Sequence, residues 1–372
     1  MKKQIFFFTL LLGICHAGYS QHVLHSNLNH FRPGDEIIKQ QVEYKNPGRS
    51  GENVLWDFSK LDVINEAYQL TFSGYENIWA VGQEKNTNYY YTQYNDSLLL
   101  WGFENQSTTL QNHQPELLLK FPVSYGDKTQ SYYYSHGKYA NRLELDAMGS
   151  VKVEADAYGM MVLPSKDTLK HVLRIHTVKL MAQTTQPIGE SYFEKLKSPL
   201  SISQDSIDYR LANDSVLFVE ESYRWYEKGY RYPVFEAISS WEQVKGSENR
   251  NYTYTSLFYP PQEHYYLDED EENLALLDSE DTIVDPWEGL TYNIYPNPVQ
   301  SVLRIEMYLP RSTNIRINLR STMGLVAIEE NKGFHWEGLY DFQLDVTSQP
   351  VGNYILDIWL DEKLISEIIM KR

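Results

Sequence analysis

Thiols, long apolar runs and positive charge are all scarce in this 372-residue chain, and each shortage removes a class of function. The one cysteine, Cys15, lies in an N-terminal stretch with the marks of a cleaved leader. Lys2 and Lys3 come first, residues 5–14 are apolar, and Gly18 and Ser20 are small residues three and one before a cut ahead of Gln21. The apolar run is about half of the ~20 residues that a spanning helix needs, so residues 1–20 are predicted to be a secretory signal peptide rather than an anchor. With Cys15 removed no thiol remains, which excludes disulfide staples, thiolate zinc sites and cysteine nucleophiles. Stability must then come from a buried apolar core, which the chain length permits. A net charge of −17 argues against nucleic acid and against an anionic membrane surface as partners. No later run approaches spanning length, so no membrane span is expected in the mature chain. Nucleophile elbows, zincin His-Glu pairs and phosphate loops are missing as well. His22, His25 and His30 cluster without a carboxylate before Asp35, and His171 and His176, an odd number apart, face opposite sides of a strand. No catalytic residue, metal or cofactor is assigned.

What the chain has in abundance is tyrosine, thirty of them, with eight tryptophans, spread over short segments of period-two alternation. This is the signature of antiparallel β structure. Leu173, Ile175 and Thr177 alternate with Arg174 and His176, and residues 215–226 and 232–241 repeat the pattern around a Lys228-Gly229 turn. Asn95-Asp96, Tyr125-Gly126-Asp127, Met148-Gly149 and Asn213-Asp214 read as further turns. The prediction is an all-β protein with residues 21–262 forming a large antiparallel β-sandwich or partly open barrel, a split into two sub-domains being the weaker option. Over residues 268–285 half the positions are Asp or Glu and none is Lys or Arg. Like charges at that density repel, so residues 263–290 are expected to be an extended acidic linker. The run does not meet the EF-hand pattern, since Asn273 and Ser279 stand where glycine and glutamate are needed.

A new unit is predicted over residues 291–372. It opens at Tyr295-Pro296-Asn297-Pro298-Val299, where two residues without N–H donors stop sheet pairing. Leu303, Ile305, Met307 and Leu309, then Ile315, Ile317 and Leu319, then Leu344 and Val346, then Tyr354, Leu356, Ile358 and Leu360 each mark a dry strand face. Gly324 follows Met323 in a hairpin turn, Pro350-Val351-Gly352 makes another, and the last strand ends in Lys371-Arg372. Six or seven strands in so short a unit read as a small Ig-like β-sandwich.

With these motifs in this order, residues 291–372 resemble the type A sorting domain of type IX secretion in Bacteroidetes, also called a Por secretion tail. The carrying residues are Tyr295, Pro296, Asn297, Pro298, Gly324, Pro350, Gly352, Tyr354, Lys371 and Arg372. The chain departs from the usual lysine-rich closing strand at Ser366 and Glu367. The resemblance implies passage through the periplasm, recognition by the type IX translocon, and removal of the tail by a surface peptidase. The product would be secreted or held at the outer cell surface. Residues 53–59, 172–174 and 229–234 are similar to the leading β domain of other exported proteins of this group, which implies no activity.

The work of the cargo is less legible. Consecutive strand residues face both sides, so Tyr89-Tyr90-Tyr91, Tyr132-Tyr133-Tyr134 and Trp225-Tyr226 with Tyr230 must each turn some ring away from a one-sided core. Tyr90, Tyr133, Trp225 and Tyr230 are the candidates for stacking on a glycan or on a surface protein. Asp-(Ser/Thr)-aliphatic triplets recur at Ser97, Thr168, Ser206, Ser215 and Thr282, which resembles the O-glycosylation acceptor of exported Bacteroidetes proteins; the same triplet is also an ordinary turn into a strand. The leading expectation is a non-enzymatic binding or adhesion module, the alternatives being a secreted glycan-acting hydrolase and a structural surface component.

Overall fold

The computed structural model describes residues 22–75, 79–189, 192, 195, 202–278, 287, 289–322, 324–361 and 363–372. The predicted signal peptide lies outside them. The N-terminal body contains β1 (Glu36–Val42), β2 (Gly51–Asp57), β3 (Tyr68–Tyr75), β4 (Trp79–Glu84), β5 (Thr87–Tyr94), β6 (Ser97–Glu104) and β7 (Thr108–Lys120). It continues with β8 (Lys128–Tyr139), β9 (Leu143–Val162), β10 (Thr168–Pro187), β11 (Val216–Tyr226), β12 (Phe235–Val244) and β13 (Thr253–Phe258). Pairing runs β10-β11-β12-β13-β1-β3-β4-β5-β6-β7-β8-β9 and returns from β9 to β10, so twelve antiparallel strands close into a barrel. Closure removes the exposed edges that a sandwich of this size would leave.

Two 20-residue strands make closure possible. β9 pairs with β10 along its whole length, from Leu143↔Pro187 to Val162↔Thr168. Its other edge is divided: Leu143–Glu154 takes β8, and Ala157–Val162 takes β2 in parallel. Met148-Gly149, expected as a turn, sits inside β9. Gly149 is there because a Cβ would stand 1.8 Å from the Leu180 carbonyl oxygen on β10. The glycine permits a close backbone approach rather than a reversal.

β2 lies against the outside of the barrel. Its Trp56, with Phe58 just beyond, covers Trp225 and Phe235, and the four rings meet at centroid distances of 4.5–6.0 Å. Beneath this layer Arg174, 1% exposed, forms a two-pronged ion pair with Asp156 at 2.7 and 2.8 Å. One helix also covers the barrel wall. α1 is a single turn, Ser26–Asn29, and α2 runs Gln204–Asn213, with Ser203 Oγ accepting the Ser206 N–H as an N-cap. α2 buries Ile207 against Tyr134, Met148, Ala182 and Leu217. The Asp205-Ser206-Ile207 triplet thus opens a helix, not a strand.

The acidic segment departs most from expectation. Short 3-10 turns at Pro261–Glu263 and Tyr265–Glu269 lead into α3, Glu271–Asp278. Asp270 is buried and held by Arg231 at 2.7 and 2.9 Å, and Asn273 is 1% exposed. Tyr266, Leu267 and Leu274 pack onto the barrel beside Tyr232 and Leu257. Residues 265–278 are therefore a seated cap rather than an extended linker: a buried guanidinium and an apolar stripe outweigh repulsion between neighbouring carboxylates. Residues 279–286 lie outside the described residues.

The C-terminal unit is a two-layer sandwich, as expected. β14 (Thr291–Tyr295), β15 (Val302–Leu309) and β18 (Gly338–Asp345) form one layer; β17 (Val326–His335), β16 (Thr313–Ser321), β19 (Gly352–Leu360) and β20 (Lys363–Lys371) form the other, in that order. Alternation places Leu303, Ile305, Met307, Leu309, Ile315, Ile317, Leu356, Ile358 and Leu360 in one core, each 0% exposed. That core includes no residue of the barrel. The units touch where β14 meets β2 through a single parallel pair, Tyr292↔Val54, and where Tyr308 rests on Leu55, Met160 and Val162.

Candidate functional site

Period-two alternation sends one set of side chains from every barrel strand inward. Thr177 and Lys179 of β10, Glu220, Ser222 and Arg224 of β11, Glu236 of β12, Lys39 of β1, Tyr89 and Tyr91 of β5, and Glu116 of β7 line a cavity of 510 Å³. One end is filled by the N-terminal segment. Leu24 bridges Val123, and Phe31 packs on Phe72 and Tyr91 at 4.9 and 4.6 Å. At the other end the cavity continues into a mouth of 950 Å³ bordered by Tyr139, Leu143, Thr185, Trp241 and Asn249. Phe103, Lys179 and Glu220 line both spaces and so form the throat.

Ion pairs dominate the polar lining. Lys39 Nζ lies 3.0 Å from Glu84 and 3.5 Å from Glu236, and Arg224 Nε donates to Glu236 at 2.5 Å. Burial alone would raise the Glu236 carboxyl, yet Arg224, Lys39 and a 2.7 Å hydrogen bond from the Tyr259 hydroxyl hold it at about 2. Lys179 is paired with Glu116 at 2.5 Å and lies 4.8 Å from the Tyr133 ring centroid. Burial opposes its charge, but Glu116, Tyr133 and Glu220 more than compensate and raise its pKa. Lys179 and Arg224 keep 24% and 32% of their side-chain surface accessible, and both line the cavity.

The aromatic candidates scatter. Tyr133 is buried beside Lys179, with its hydroxyl unpartnered among the described residues. Tyr90 lies between the two cavity-lining rings, Tyr89 and Tyr91, and so on the opposite face of β5. Trp225 is 0% exposed under β2 and is no stacking platform; a strand 170 residues earlier hides it. Tyr230 is half-buried against His264. Sequence reasoning missed Tyr89, Tyr91, Phe103 and every lumen charge. The alternation was visible, but the direction of the inside was not.

In the C-terminal unit the motif residues converge on the terminal strand. The Asn297 side chain bridges it, its Nδ2 donating to Ile368 O at 2.8 Å and its Oδ1 accepting Met370 N–H at 2.9 Å. Val299 N–H donates to Met370 O, and Arg372 N–H donates to Val299 O. The peptide bonds before Pro296 and Pro298 are cis. Tyr354 hydroxyl closes the other turn by donating to Pro350 O at 2.9 Å, and Gly352 pairs with Lys371. Gly324 adopts φ +87°, the left-handed conformation its turn needs. The Tyr-Pro-Asn-Pro opening, the Pro-Val-Gly turn and the Lys-Arg ending, dispersed in sequence, thus meet around β20, an edge strand. Residues 293–371 match the family model of the secretion system C-terminal sorting domain.

The tail is a type IX secretion sorting domain. It marks the protein for secretion by that system. No curated protein matches the chain. The two departures in the sorting domain's closing strand have structural partners: Ser366 donates to Asp357 at 2.5 Å, and Glu367 accepts from the Tyr292 hydroxyl at 2.8 Å. Tyr292 also carries the Arg49 guanidinium over its ring at 4.8 Å, so Glu367 braces the contact between sorting domain and barrel. That contact is spare, with a 700 Å³ cleft beside it lined by Arg49, Asp57, Tyr292, Glu306 and Glu367.

Of the acceptor triplets, Thr168, Ser206 and Ser215 are exposed and Ser97 is half-buried, while Thr282 lies outside the described residues. On the barrel wall, His136, Glu144 and Asp146 bring three potential ligand atoms within 4.8 Å of one another. Lys195 takes the place of a cation there, pairing with Glu144 and with Asp146 at 2.7 Å.

Proposed function

We propose that this is an exported binding protein whose barrel holds a small ligand in its lumen. The carrying observation is the 510 Å³ cavity, of the size and mixed lining that ligand pockets have, opening through a throat into a wide mouth. The position of the sorting domain supports the reading. It docks on β2, which runs beside Ala157–Val162 of β9, whereas the mouth lies at the Leu143 end of that strand. The tag therefore leaves the mouth clear. We further propose that residues 1–20 direct the chain into the periplasm, that residues 291–372 are the detachable label, and that the exposed Thr168, Ser206 and Ser215 are glycan acceptors.

The hydrolase alternative needs a protonated carboxyl beside an ionised one in shared space. In the lumen Glu84, Glu116 and Glu236 each bind a cation, and Glu236 is held at about 2, which favours binding over acid catalysis. The test is a thermal-shift screen of small polar molecules on the full mature chain and on a Thr177→Trp variant that fills the lumen. Compounds that stabilise the wild type should lose their effect in the variant. Stabilisation that persists in Thr177→Trp, or a screen without hits, would overturn the reading.

A further inference from the structure

Charge in the lumen does not balance. Three cations, Lys39, Lys179 and Arg224, face four carboxylates, Glu84, Glu116, Glu220 and Glu236. Glu84 and Glu236 share Lys39 and Arg224, and Glu116 takes Lys179. Glu220 is exposed at the throat and makes no ion pair or hydrogen bond with any described residue. Phe103 and Lys179 stand with it in the throat, Lys179 lying across the strand pair from Glu220 with its ammonium bound to Glu116, and Tyr89, Leu100 and Leu118 stand further in. A carboxylate left without an ion-pair partner at the entrance of the cavity raises the local concentration of cations, and the −17 charge of the whole chain adds to this.

Resting on the reading of the barrel as a binding module, we propose that its ligand is a small organic monocation, a primary ammonium group on an apolar body. The ammonium would donate hydrogen bonds to Glu220 and the body would lie against Phe103, Tyr89 and Leu100. A neutral guest would strip water from Glu220 and return nothing, and an anion would add repulsion. A divalent metal is a poor match, because hard cations need six or more converging oxygens and one carboxylate is free here. A ring at the throat adds cation–π attraction to the charge-assisted hydrogen bond.

The test is calorimetric titration of the full mature chain with hexylamine, hexanol and hexanoate, which share a chain length and differ in charge. Hexylamine should bind about tenfold or more tightly than hexanol, with hexanoate weakest. Glu220→Gln should bring the amine and the alcohol to parity, and Glu220→Asp, which keeps the charge on a shorter arm, should fall between. Glu220 makes no hydrogen bond or ion pair with a described residue and supports Lys179 and Arg224 only through longer-range attraction, so both variants should fold and should melt only slightly below the wild type. Equal binding of all three probes, or an amine preference that survives Glu220→Gln, would overturn the ammonium assignment while leaving a lumen site standing. Absence of binding by every probe would count against the lumen site itself.

Discussion

The barrel and the sorting domain are both antiparallel β structures, yet they are filled in opposite ways. The sorting domain's core is aliphatic on both layers, Leu, Ile, Val and Met with Tyr354 at its margin. The barrel keeps apolar clusters for its outer wall and its plugged end, and lines its middle with Lys39, Glu84, Glu116, Lys179, Arg224 and Glu236. Burying ions costs more than burying leucine, and an ion pair inside a protein rarely repays its desolvation fully. The contrast sets an aliphatic core in the tail against a lumen crossed by ion pairs in the barrel.

The largest expected effects break the comparison at its two centres. Glu236→Ala leaves the buried Lys39 and the half-buried Arg224 without their shared partner and should cost about 3 kcal/mol or more. Ile317→Ala opens a void in the aliphatic core and should cost about 2–5 kcal/mol. In scanning calorimetry the first should lower only the barrel transition and the second only the transition of the sorting domain. A single transition moved equally by both would mean that the β2–β14 contact fuses the two units. Restoring neutrality with Glu236→Leu and Lys39→Met together should recover part of the barrel loss, since an apolar pair replaces a broken ionic one.

Acid should sharpen the same contrast. His264, buried between Tyr230 and Tyr266, is pushed down to about 4 by burial, and His22 to about 3 by burial and by His171 nearby. Both belong to the barrel and its cap. Unfolding releases each to an ordinary value near 6.5, so between about 4 and 6.5 the unfolded chain binds the protons and the native one does not. Stability from these neutral rings is complete above pH 6.5 and declines as pH falls toward the folded values. At pH 5 His264 alone should cost about 2 kcal/mol. His264→Phe keeps the ring contacts, so urea melts of the variant should match the wild type at pH 7.5 and exceed it by about that amount at pH 5. An unchanged pH slope would remove His264 as the cause.

Much of this architecture was legible in the sequence, and its misreadings share a physical origin. Period-two alternation disclosed β10, β11, β12 and nearly every strand of the sorting domain, because residue type alternates along them even where, as at Arg174 and Trp225, both faces are buried. In the barrel it did not tell inside from outside. Its inside mixes charges with rings and aliphatic side chains and its outside is in places covered, so Tyr90 and Trp225 stood out in the sequence while Tyr89 and Phe103 line the cavity. Trp225 is hidden by β2, and Asp270 is neutralised by Arg231, thirty-nine residues away. Neither partner is visible from local composition. Gly149 shows the same limit on a smaller scale, since a glycine that admits Leu180 O looks like a glycine that turns the chain. The sorting domain was readable because its motifs are local signals that end up serving one strand.

That last point gives the smallest predicted effect. Asn297 makes two hydrogen bonds to β20 backbone from an exposed position, so Asn297→Ala should cost about 1 kcal/mol or a little more. Val299 and Arg372 continue the same ladder through backbone groups that the substitution leaves in place, so the fold should survive. The edge strand would fray at Ile368 and Met370, and hydrogen exchange there should rise several-fold while the protected β16 and β19 amides hold their rates. Secreted yield compared with chain retained in the cell then separates two roles for the asparagine. If β20 must be firmly seated to be recognised, yield should fall with the local exchange rate, and Asn297→Asp, which keeps an acceptor for Met370 N–H but loses the donor to Ile368 O, should lie between wild type and alanine. A yield that collapses for both variants alike, with exchange in Asn297→Asp close to wild type, would show instead that the machinery reads the amide directly.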